Sequence, residues 1–89
     1  MYELIVLFAH WCPKCNMMMP IVEDMEKDYV GILHIQKIDV EEHPEAMEAY
    51  GIEIVPTFLI MHHKQEIGRM SGLIGEKILR GRIEAVVKE

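Results

Sequence analysis

The chain reads as an α/β fold on three observations. An apolar strand pattern, a long amphipathic helix pattern and a second branched strand pattern follow one another, the order of a βαβ unit. Two more strand patterns separated by a short polar turn make a hairpin. Apolar residues at helical spacing then close the chain. The length of 89 residues suits one domain spanning 1–89.

Glu3 to Ala9 is a short, nearly continuous apolar run rich in branched residues, the pattern of a strand buried on both faces. After His10-Trp11-Cys12, Pro13 suits the first helical position, where its missing N–H and fixed φ cost nothing. Cys12 then becomes the N-cap. Met18, Val22, Met25 and Tyr29 form one helical stripe, with Glu23, Asp24, Glu26, Lys27 and Asp28 over much of the remainder. This predicts a helix from Pro13 to Tyr29, with Pro20 inside it and Gly31 ending the unit. Ile32 to Val40 is the second strand, parallel to the first across a right-handed crossover. Pro44 opens a helix of about two turns, with Glu45 and Glu48 in its acid-tolerant start and Gly51 as its stop. Pro56 precedes a strand over Thr57 to Met61, and a partner strand over Glu66 to Met70 follows a turn through His62, His63, Lys64 and Gln65. The favoured Asn-Gly turn is missing there. Ile78, Leu79, Ile83, Val86 and Val87 place the closing helix over Gly75 to Lys88, despite Gly81, which costs about 1 kcal/mol relative to Ala.

Composition narrows the function. Nine Lys and Arg stand against fifteen Asp and Glu, a formal charge of −6, and no basic cluster exists to hold phosphates. Nucleic acid and anionic membrane are therefore not expected as partners. The apolar opening run is far shorter than a bilayer span and lacks a basic flank, so the reading is an unexported, cytoplasmic protein. A monomer is expected. The only cysteines are Cys12 and Cys15, spaced C-x-x-C, too few to staple a secreted scaffold. A bridge between them closes so short a loop that its entropic gain is slight, which points to chemistry.

Two cysteines three apart in regular helix hold their Cβ atoms about 5–6 Å apart, whereas a disulfide wants roughly 3.5–4.5 Å. One partner should therefore leave helical geometry, and Cys12 at the N-cap does so. There its sulfur can accept orphan N–H groups, notably that of Cys15, at the positive end of the helix dipole. With Lys14 as a nearby cation, Cys12 is expected below the free-cysteine value and is the candidate nucleophile. Cys15, one turn inside, is the candidate resolving thiol that attacks the mixed disulfide. No metal or other cofactor is expected beyond this redox pair.

Phe8-Ala9-His10-Trp11-Cys12-Pro13-Lys14-Cys15, Pro20, Asp39-Val40-Glu41, Tyr50-Gly51-Ile52 and Val55-Pro56-Thr57-Phe58 together resemble thioredoxin over nearly the whole chain. The resemblance implies a thioredoxin-like fold: a four-stranded mixed sheet of order 2-1-3-4 flanked by three helices, with strands three and four antiparallel to the first two. It implies a thiol:disulfide oxidoreductase acting on client proteins with disulfides, with a disulfide reductase as electron donor. It further implies a cis Val55-Pro56 bond whose backbone binds the client, with Gly72 lining that surface and Trp11 flanking the nucleophile. Three departures stand out. The extra strand and helix that thioredoxins carry before strand one are lacking, which brings the size nearer a glutaredoxin. Pro13-Lys14 replaces Gly-Pro between the cysteines, where the family sets its redox character. Val6 stands where thioredoxins place a buried acid, while that acid's partner is retained as Lys37, so slower resolution by Cys15 is expected.

Other readings of the same residues are a glutaredoxin-like reductase of glutathione mixed disulfides and a metal-binding or redox-silent interaction module. Against the first, Ile54-Val55-Pro56 and Ser71-Gly72 stand where Thr-Val-Pro and Gly-Gly would be. Against zinc, His10, His34, His43, His62 and His63 form no second ligand pair. His62-His63 reads as a solvated turn, and His34 and His43 as surface residues. His10, two residues before Cys12, is either an exposed loop residue or a group that tunes it. Lys37 also fits an edge-strand gatekeeper. Met17 and Met19 fit a deformable client surface, and Met18 a core position.

Overall fold

Seven elements follow one another in a computed structural model that describes residues 2–87: β1 (Tyr2–Phe8), α1 (Pro13–Asp28), β2 (Leu33–Asp39), α2 (Glu45–Ala49), β3 (Thr57–His62), β4 (Gln65–Ser71) and α3 (Glu76–Val86). The strands form one sheet of order β2-β1-β3-β4. β1 runs parallel to β2, with Val6 opposite Lys37, and antiparallel to β3, with Val6 opposite Phe58. β4 pairs antiparallel with β3 across an irregularity at Ile60/Met61.

Alternation along β1 divides the core in two, because successive side chains leave opposite faces of a strand. Leu4 and Val6 pack with Met18, Val22 and Met25 of α1 and Leu79 and Ile83 of α3. Ile5, Leu7 and Ala9 pack on the other side with Ala46, Ile52 and Leu59, and both cysteines belong to this second cluster. This accounts for the continuous apolar run in the first strand. The helical stripe is buried as read, with Tyr29 serving as the C-cap of α1 and Gly31 following at φ +83°.

Several boundaries move. β1 starts and ends one residue earlier than expected, β2 omits Ile32 and Val40, and α2 has five residues where about two turns were expected. Ile78 is exposed, so the buried stripe of α3 is Leu79 and Ile83. That helix ends at Val86 with Val87 as an extended C-cap, short of the expected end at Lys88, which itself lies outside the described residues.

The hairpin departs most. His62 belongs to β3 and stacks on Tyr2 with ring centroids 4.0 Å apart, so it is not part of a solvated turn. The turn is His63-Lys64 alone, with φ of 52° and 65°. Both central residues of a type I′ turn need positive φ, which side chains with a Cβ adopt only at a cost. Replacing the pair by Asn-Gly relieves that cost, and the variant H63N/K64G is expected to gain about 1 kcal/mol, or about 4–8 °C in Tm. Calorimetry showing an unchanged or lower Tm would reject the turn assignment.

Candidate active site

The two cysteines sit where β1 gives way to α1. Ala9 ends the buried strand, His10-Trp11 make a turn closed by the Cys12 N–H donating to the Ala9 carbonyl at 3.2 Å, and Pro13 starts the helix. Cys12 is extended, with φ −92° and ψ 114°, and its Sγ accepts the Cys15 N–H at 3.3 Å. This is the N-cap geometry expected from Pro13, since an N-cap acceptor satisfies a donor that the first turn leaves without a partner. Cys15 is fully buried, whereas Cys12 keeps 5 % of its surface.

The thiols differ in acidity for reasons visible in their surroundings. Burial opposes ionisation of Cys12, yet the Cys15 thiol, the N–H groups of Cys15 and Lys14 and the Lys14 ammonium together outweigh it, holding Cys12 below its ordinary 9.0. Burial acts on Cys15 with less opposition, and with the hydrogen bond to Cys12 it pushes this thiol up to about 11.

A second loop reaches the pair through Val55, and a third is tied to that loop through Gly72. The Cys12 thiol donates to the Val55 carbonyl at 3.6 Å, linking residues 43 apart in sequence. Val55-Pro56 is a cis peptide bond. The Gly72 N–H donates to the Pro56 carbonyl at 2.9 Å, and Gly72 has φ +87°, a conformation that a Cβ disfavours. Thr57, itself buried, donates its hydroxyl to the Ile54 carbonyl and steadies the same loop. Trp11 is 67 % exposed, and Ile54 and Leu73, which sequence reasoning passed over, are also exposed. They flank Val55 and Gly72 in the chain, and that adjacency was the available signal.

Other candidates lie elsewhere. Lys37 donates to Glu26 of α1 at 3.1 Å, so the ammonium that the resemblance pairs with the family's buried acid is engaged with a carboxylate of the helix. Val6 is fully buried among apolar side chains of the α1 and α3 face. His34 and His43 are exposed beside Glu3 and Glu45, as ordinary surface residues. Met18 is buried and Met17 exposed. Among the described residues no three or more His, Cys, Asp or Glu side chains are grouped to hold a metal ion. Among the described residues no helix is long and apolar enough to cross a membrane.

A C-x-x-C pair capping the helix that follows the first strand of a 2-1-3-4 sheet defines a dithiol–disulfide exchange protein. The chain belongs to the thioredoxin family: the family model for thioredoxin matches residues 2–85. Thioredoxin of Chlamydia caviae is 36% identical over 70 residues, covering 79% of this chain and 68% of that one. Thioredoxin of Chlorobaculum thiosulfatiphilum is 32% identical over 81 residues, covering 91% and 75%. Among solved structures, a mutant thioredoxin of Halobacterium salinarum superposes with a TM-score of 0.88 at 30% identity, covering 99% of this chain and 76% of that one. Fasciola hepatica thioredoxin does so at 0.88 and 31%, covering 98% and 81%. The thioredoxin-like fold and thiol:disulfide oxidoreductase activity follow from this membership.

Proposed function

We propose that residues 1–89 form one domain that reduces disulfides of client proteins, with Cys12 as nucleophile and Cys15 as resolving thiol. The carrying observation is the N-cap placement of Cys12, whose sulfur accepts the Cys15 N–H while Cys15 is buried behind it. Cys12 thiolate attacks a client sulfur, the client S–S bond breaks and one client thiolate departs. Cys15 then attacks Cys12 Sγ, its proton passes to the departing client thiolate, and the second client sulfur is released. Two electrons have moved, leaving a Cys12–Cys15 disulfide and a client dithiol. Val6 supplies no acid and Lys37 is held by Glu26, so the leaving thiolate is the natural acceptor for that proton. A disulfide reductase returns the pair to the dithiol, and no other cofactor enters.

Val55, Pro56 and Gly72 form the backbone rim against which the client lies, with Trp11 beside the nucleophile and Pro13 and Lys14 tuning it. The exposed apolar side chains of Trp11, Ile54 and Leu73 support this reading, because a client strand brings its own apolar groups to that rim. In this reading the protein works as a monomer in the cytoplasm.

Acidity supplies the test. Cys12 is held below its ordinary value and Cys15 is pushed above its own, so at neutral pH Cys12 carries far more thiolate than Cys15. Brief iodoacetamide treatment of the reduced protein at pH 7 is expected to label Cys12 alone. Its rate should rise with pH only until the lowered Cys12 value is passed. Equal labelling of both cysteines in peptide mass spectra would overturn the assignment of roles.

A further inference from the structure

The turn that delivers Cys12 to its cap is held from both sides by polar contacts. His10 Nε2 lies 3.1 Å from Asp39 Oδ2 at the end of β2. The His10 N–H donates to Glu41 Oε1 at 3.0 Å, and the Glu41 N–H donates to Asp39 Oδ1 at 2.8 Å. His10, Asp39 and Glu41 thus close a ring of three contacts, in which Asp39 is only 11% exposed although the His10 ring is 75% exposed. The His10 ring also stands edge-on to Phe8, centroids 5.4 Å apart. From the helix side, Asn16 Nδ2 donates to the His10 carbonyl at 3.2 Å. Cys12 lies between His10 and Asn16, and the other bond across the turn is its own N–H to the Ala9 carbonyl.

We propose that His10 is a positioning residue for Cys12, latching the His10-Trp11 turn to Asp39 and Glu41 so that the Cys12 sulfur stays on the N–H groups of the first turn of α1. The inference rests on Cys12 being the nucleophile. Its physical basis is that those N–H contacts favour the thiolate only while Cys12 keeps its extended backbone, and a two-residue turn with one backbone hydrogen bond holds that conformation weakly. An imidazole that is mostly exposed and meets only the Phe8 ring edge-on gains little from packing, so its contact with Asp39 acts on the turn more than on the core. Asp39 from the β2 side and Phe8 from β1 face the ring, Glu41 and Asn16 hold the His10 backbone N–H and carbonyl, and Lys14 is the nearest cation in sequence.

The test is the rate of Cys12 alkylation by iodoacetamide from pH 5 to 9 in the reduced 89-residue chain, with labelled peptides identified by mass. His10→Ala is expected to lower the rate below pH 7 by about two- to fivefold, the range of a single polar contact at an exposed site, and to move the profile to higher pH. Tm should stay within a few degrees. His10→Gln, which keeps a donor for Asp39, is expected to restore most of the rate. In an Asp39→Asn background, His10→Ala should lower the rate by much less, since the two changes remove one contact. Profiles of His10→Ala and wild type that superpose would overturn the proposal, as would a loss of equal size in the Asp39→Asn background. Labelling of Cys15 ahead of Cys12 in wild type would instead reject the nucleophile assignment, so the two failures are distinguishable.

Discussion

Replacing Cys12 by Ser is expected to abolish reduction of protein disulfides, lowering turnover by at least about a thousandfold, because the hydroxyl is not ionised at neutral pH and oxygen is a poor nucleophile toward sulfur. Replacing Cys15 by Ser has a different outcome. Cys12 still attacks, but nothing resolves the mixed disulfide, so the client stays joined to the protein until an outside thiol frees it. Non-reducing gels of Cys15→Ser with a disulfide-bonded client should show a covalent adduct that dithiothreitol releases. The same variant separates the candidate chemistries: a monothiol route on glutathione mixed disulfides survives loss of Cys15, whereas dithiol reduction of a protein does not. Full protein-reductase activity in Cys12→Ser would reject the mechanism outright. Both side chains are small and the substitution is nearly isosteric, so lost activity with an unchanged Tm reports chemistry.

Phe58→Ala is expected to cost about 3–5 kcal/mol. Phe58 is fully buried in β3, opposite Val6 of β1 and Met70 of β4, in the cluster that includes Met18, Val22 and Leu79. Truncation there removes a ring from the junction of three strands and two helices, and close-packed neighbours collapse only partly into the space. A chain of this length holds roughly 0.05–0.15 kcal/mol per residue, so such a loss consumes much of its stability. Urea unfolding should show a lowered midpoint with little change in slope. Ile54→Ala, at an exposed loop position, serves as the comparison and should stay within about 0.5 kcal/mol of wild type. A Phe58→Ala loss under about 1 kcal/mol would mean that the core is not centred on β3 as described.

What could be read from the chain alone was the chemistry that acts over a few residues. Pro13 starting a helix one residue after Cys12 is enough to make Cys12 an N-cap, and the cap brings the Cys15 N–H to its sulfur. The stripe of Met18, Val22, Met25 and Tyr29 and the doubly buried run of β1 were legible because 3.6-residue and two-residue periods report directly which faces meet apolar neighbours. The His63-Lys64 turn was not, because neither residue prefers positive φ and the register of β3 with β4 imposes it. Ile78 has the apolar character of its neighbours, and only the seating of α3 on the sheet selects Leu79 and Ile83 for burial in its place.

The sequence by itself therefore determined the reactive pair, its place at a helix start, the βαβ unit and the hairpin, since these depend on contacts within a turn or along one strand. Tertiary structure decided the individual contacts that no local pattern carries. It brought the Val55 carbonyl to Cys12 across 43 residues, tied Gly72 to Pro56, gave Lys37 to Glu26 and placed His10 on Asp39 and Glu41. Such pairings depend on strand order and on where each loop leaves the sheet, which no local period or propensity encodes.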